Sequence, residues 1–79
     1  MNTENATKEY DLTGLRCPMP IVRLNKIMKE LSPGETCVVT ADDQAFCPDV
    51  EAWCNKTGNE LVECETASSR FTATIRKQS

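Results

Sequence analysis

The chain has 79 residues, 39% of them hydrophobic and 27% charged, with a net charge of −3 and five cysteines. That length bounds it to one small domain with a thin core, and the composition excludes both a disordered polymer and a membrane span. The acidic balance argues against binding nucleic acid through the whole surface, and no direct nucleic-acid or membrane partner is expected.

Residues 1–7 read as a polar, frayed tail without the apolar run of an export signal, so the expected location is the cytoplasm. Residues 8–12 alternate, with Tyr10 and Leu12 set against Glu9 and Asp11, and predict a short strand. Thr13-Gly14 breaks it and leads into Leu15-Arg16-Cys17-Pro18-Met19-Pro20. Proline suits the first turn of a helix, so the helix is expected over residues 18–31 with Cys17 at its mouth. Ile21, Leu24, Ile27, Met28 and Leu31 form its apolar stripe, and Ser32-Pro33-Gly34 ends it. A thiol there meets free backbone amides and the positive end of the helix dipole. Together with Arg16 these predict thiolate character without a histidine base.

Residues 36–41 are β-branched and predict a second strand, parallel to the first through the intervening helix. Asp42-Asp43 read as caps for a second helix running to about residue 57 and ended by Gly58-Asn59. Phe46, Val50, Trp53 and Cys54 share its apolar face, and Pro48 suggests that the helix proper begins there. Residues 60–65 and 70–77 predict two more strands joined by a turn at 66–69. The order is βαβαββ. The expected class is α+β: a two-layer α/β sandwich, with both helices on one face of a four-stranded mixed sheet.

Charge is unevenly spread. Arg16, Arg23, Lys26 and Lys29 face a single acid, Glu30, over residues 16–30, so positive charge gathers around Cys17 and its helix. This stripe reads either as a solvated helix face or as a docking surface for an acidic protein. The five cysteines contain no C-x-x-C pair and the chain has no histidine, so no zinc or other cofactor is expected and a Cys-His hydrolase is excluded. Cys37, Cys54 and Cys64 read as core residues. Cys47-Pro48 repeats the Cys17-Pro18 dipeptide at the second strand-to-helix junction. Two readings stand for Cys47: a helix-start residue packed under the loop, which is preferred, and an auxiliary thiol that pairs with Cys17.

The string Asp11-Leu12-Thr13-Gly14-Leu15-Arg16-Cys17-Pro18-Met19-Pro20 resembles the Cys-Pro-x-Pro motif of the TusA/SirA family of small sulfur-carrier proteins. The likeness continues through Ser32-Pro33-Gly34-Glu35, Ala41-Asp42-Asp43, Ala52-Trp53-Cys54, Gly58-Asn59-Glu60-Leu61 and Ile75-Arg76-Lys77. The resemblance implies the same sandwich fold over residues 8–79. It implies that Cys17 accepts a sulfane sulfur as a persulfide, with Pro18 and Pro20 shaping the site. The implied partners are a cysteine desulfurase or rhodanese-type donor and a downstream acceptor protein, in tRNA 2-thiouridine synthesis or another sulfur-trafficking pathway. The free carrier is expected to be a monomer. Met19 stands where the family often carries an acid, which should favour the thiolate further, and Cys47-Pro48 departs from the family pattern. Two other functions compete: a thiol-disulfide redox protein using Cys17 with Cys47, and a non-catalytic regulatory module.

Overall fold

A computed structural model describes residues 8–78, so the expected tail at residues 1–7 lies outside the described residues. The order is β1 (Lys8–Asp11), α1 (Met19–Glu30), β2 (Thr36–Ala41), α2 (Phe46–Thr57), β3 (Glu60–Ala67) and β4 (Arg70–Arg76). The strands lie side by side as β1-β2-β4-β3, with β1 parallel to β2 and the other pairs antiparallel. This is the expected βαβαββ mixed sheet.

Period-two alternation decides which side of the sheet is dry. Cys37, Val39 and Ala41 on β2 and Ala73 and Ile75 on β4 are buried together with Leu24, Ile27, Met28 and Leu31 from the α1 region. Phe46, Val50, Trp53 and Cys54 of α2 join the same cluster. Both helices therefore pack on one face, and the indole of Trp53 ties them together by donating to Asn25 Oδ1 at 3.0 Å. The intervening Val38, Thr40, Thr72 and Thr74 are only half-buried, which leaves the other face open.

The helix ends are closed by different means. At the end of α1, Lys77 Nζ reaches back from beyond β4 and donates to the carbonyls of Met28 and Leu31, both at 2.8 Å. These are among the carbonyls that a helix leaves without partners, and a cation there also meets the negative end of the dipole. Gly58 closes α2 in the left-handed region at φ 81°, its N–H donating to Cys54 O at 2.8 Å.

Two local expectations are corrected. α2 begins at Phe46, not Pro48; Pro48 fits inside the first turn, where a missing N–H costs no helical bond. β3 runs on to Ala67, because Thr66 and Ala67 still pair with Phe71 and Arg70. The turn is therefore only Ser68-Ser69, both at positive φ (51° and 65°), the backbone that a two-residue hairpin of matching twist requires. Finally, the pairing shifts between Leu61 and Glu63. That bulge takes Val62 out of the ladder, so Leu61 and Cys64, three residues apart, pair with Ile75 and Ala73 on the same, helix-covered face.

Candidate functional site

The site forms where β1 and β2 end side by side, beyond the carboxyl ends of a parallel pair. The Leu12 N–H donates to Thr40 O at 2.7 Å and extends the ladder by one step, burying Leu12. Asp11 then folds the chain over: its Oδ1 accepts from the Thr13 N–H at 2.9 Å and the Thr13 hydroxyl at 2.7 Å. Gly14 follows at φ 88°, a conformation that disfavours any side chain.

Two carboxylates from the β2–α2 loop hold the next residues. Asp42 Oδ1 accepts from the Gly14 N–H and from Arg16 Nη1, both at 3.0 Å. Asp43 Oδ2 accepts from the Cys17 N–H at 2.8 Å, while its Oδ1 takes the Ala45 N–H at 3.2 Å. Asp43 thus holds the cysteine backbone with one oxygen and its own loop with the other. The expected helix caps are corrected accordingly: α2 has Ala45 at its N-cap without a side-chain cap, and the two aspartates face the cysteine loop. The bonds to Thr13 lower the Asp11 pKa, and those from Gly14 and Arg16 lower that of Asp42.

Cys17 is exposed, one residue before Pro18, the N-cap of α1. Its thiol pKa is raised, first by hydrogen bonding to the Asp49 carboxylate, then by desolvation and by the charges of Asp49 and Asp43. The expected thiolate-favouring role of Arg16 is corrected, because the guanidinium is engaged by Asp42. The groups that set the thiol are acids. Pro20 is buried and anchors the start of α1, whereas Pro18 is exposed and is joined to Cys17 by a cis peptide bond.

The remaining cysteines divide cleanly. Cys37 and Cys54 are buried, as expected, and burial pushes both thiols up to about 11. Cys47 forms a disulfide with Cys64, with Cα atoms 6.2 Å apart. The auxiliary pairing of Cys47 with Cys17 is therefore corrected, since another sulfur occupies Cys47. Cys64, expected in the core, packs against it from the edge, half-buried and bonded to α2.

Residues 8–77 match the family model of the sulfurtransferase TusA. The chain belongs to the TusA family. The sulfur carrier protein TusA of Allochromatium vinosum is 37% identical over 70 residues, which cover 89% of this chain and 92% of that protein. The putative sulfur carrier protein YrkF of Bacillus subtilis is 40% identical over 72 residues, 91% of this chain. That longer relative is matched over only 39% of its length. The crystal structure of a SirA-like protein from Desulfitobacterium hafniense shares the fold with a TM-score of 0.78, at 23% identity, over 92% of this chain and 100% of that one.

In this TusA-family chain, the fold brings Arg16, Cys17, Pro18 and Pro20 together at the mouth of α1. Arg23, Lys26 and Lys29 are exposed along the same helix, where Met19 and Val22 add apolar surface at 46% and 41% exposure. Met19, Val22, Arg23 and Lys26 follow helical one-face spacing away from the cysteine. Sequence reasoning missed Asp43 and Asp49 as neighbours of the thiol. The available signal was the placement of both parallel strands' ends on one edge, which sets the second junction's acids against the first junction's cysteine.

Proposed function

We propose that this chain is a sulfur carrier in which Cys17 accepts a sulfane sulfur and passes it on. The observation that carries the reading is selective exposure: among the described residues Cys17 is the exposed free thiol, Cys37 and Cys54 are buried, and Cys47 and Cys64 are bonded to each other. In loading, the Cys17 sulfur attacks the outer sulfur of a donor persulfide. The donor's S–S bond breaks, its thiolate leaves, and the Cys17 thiol proton ends on that departing thiolate. The chain then carries a persulfide, whose outer sulfur is open to attack by an acceptor in the same sense.

The donor fits a cysteine desulfurase or rhodanese-type protein, and the acceptor a downstream protein in tRNA thiolation or another sulfur-trafficking pathway. Support comes from the sulfur-carrier relatives and from the stripe of Met19, Val22, Arg23, Lys26 and Lys29 beside the cysteine, an apolar and basic surface suited to an acidic-rimmed partner. Among the described residues no helix is long and apolar enough to cross a membrane. We place the carrier in the cytoplasm as a free monomer. The competing disulfide chemistry between Cys17 and Cys47 loses its support, because Cys47 is bonded to Cys64.

Intact mass after incubation with a desulfurase or rhodanese and a sulfur source tests the proposal. A one-sulfur increment that disappears in Cys17→Ser is the expected result. Absence of any increment would leave the regulatory module as the better reading.

A further inference from the structure

Cys47 and Cys64 are bonded across the seam between α2 and the sheet. Cys47 is the second residue of α2, and Cys64 lies on β3, an edge strand. The bulge at Val62 brings Cys64 to the helix-covered face, since uninterrupted alternation from Leu61 would turn it to the open one. Neither backbone depends on the bond. Phe46 and Val50, on either side of Cys47, are buried at 1% and 0% exposure and anchor the first turn of α2. β3 pairs with β4 from Glu60 to Ala67, which fixes Cys64 opposite Ala73. The two Cα atoms are 6.2 Å apart, within the roughly 4.4–6.8 Å that a disulfide spans, so the sulfurs stay in reach of one another once the bond is opened. Both residues are half-buried, in contrast to Cys37 and Cys54 at 0% and 2% exposure. A small thiol therefore has access to this pair and not to the buried thiols.

The geometry points to a second sulfur site, independent of Cys17: Cys47 and Cys64 form a dithiol–disulfide couple that exchanges electrons with low-molecular-weight thiols and disulfides. The thiolate of a small thiol attacks the Cys64 sulfur from the sheet edge. The Cys47–Cys64 bond breaks, and Cys47 leaves as a thiolate on the first turn of α2, where the helix dipole favours it. A second thiolate attacks the small-molecule sulfur of the mixed disulfide, and Cys64 leaves in turn. The protein bond is reduced by two electrons, the two small thiols are oxidised to one disulfide, and their two protons end on Cys47 and Cys64. A small disulfide closes the bond by the same steps in reverse. The fold is the same in both forms, because the contacts that anchor α2 and β3 lie outside the bond.

Reduced and oxidised glutathione at stepped ratios test this on the whole chain, without any sulfur donor. Free thiols are trapped with N-ethylmaleimide and located by peptide mass. Cys47 and Cys64 should gain the label together over one range of ratios, whether the titration starts from the closed or the open form, with unchanged far-UV circular dichroism. Cys17→Ser should titrate over the same range. Cys64→Ser should retain glutathione on Cys47, and Cys47→Ser on Cys64, because no internal thiol remains to expel it. A bond that opens only in denaturant, or whose opening abolishes the helical signal, would overturn the proposal by making the bond structural. So would a titration that moves in Cys17→Ser, or a Cys64→Ser variant that holds no more glutathione at Cys47 than the wild type does.

Discussion

A reactive cysteine at a helix mouth is usually explained by the dipole and the free amides behind it. At Cys17 the nearer groups are carboxylates, and they reverse the sign: Asp49 and Asp43 favour the protonated thiol. Replacing Asp49 by asparagine removes the principal cause, so the Cys17 pKa should fall and the thiolate fraction at neutral pH should rise. Alkylation near pH 7 should then be several-fold faster than wild type, the two rates converging above the wild-type pKa. A second expectation follows from the lowered pKa values of Asp11 and Asp42. The folded loop favours their charged forms, so its stabilisation is complete above their unfolded values and is lost as pH falls through the folded ones. Amide exchange at Gly14, whose donor acts on Asp42, should accelerate in that acid window ahead of exchange at the buried strand residue Val39.

The elements themselves were legible where periodicity was strong. Leu24, Ile27, Met28 and Leu31 announced the α1 stripe, and Phe71, Ala73 and Ile75 the inner face of β4. What escaped was set by pairing across the molecule. Ser68-Ser69 lacks the glycine or asparagine that normally marks a hairpin with two positive φ values, so Thr66 and Ala67 looked like turn. The Val62 bulge leaves no local trace either, and with it went the bond between Cys64 and Cys47. Lys77 is a further case: it closes the basic end of the sequence, but its function as a cap for α1 depends on β4 ending beneath that helix. Lys77→Met should lower stability by about 1 kcal/mol, read as a reduced midpoint in urea with an unchanged slope. Leu24→Ala, at a fully buried position of α1, should cost more, about 2–5 kcal/mol by the same measurement.

At the scale of the whole molecule, charge is divided between two sides. The helical side presents Arg23, Lys26 and Lys29 next to Cys17, while the open sheet face aligns Glu9 and Asp11 of β1 with Glu60, Glu63 and Glu65 of β3 at its two edges. Hydrogen bonding with Glu65 and its like charge raise the Glu63 pKa. A donor with an acidic rim is thereby steered toward the cysteine end and away from the sheet. Reversing charge at Lys26 and Lys29 should slow loading by a protein donor about tenfold at low ionic strength. The difference should shrink once salt screens charges beyond about 8 Å, and a small-molecule sulfur donor should be unaffected. Loading rates from both donors, followed by intact mass across a salt series, check this.

The bonds from Cys17 to Asp43 and from Gly14 to Asp42 span 26 and 28 residues. No stretch of chain that stops before the β2–α2 loop can make them. A growing polypeptide that has released β1, the cysteine loop and α1 therefore owns the sulfur atom without its surroundings, and that sulfur behaves as any exposed thiol would. The distinctive setting arrives only when β2 docks beside β1 and its two aspartates close over the loop. The damped thiol at residue 17 is in this sense a mark of completed folding, set by residues the ribosome delivers last to the site.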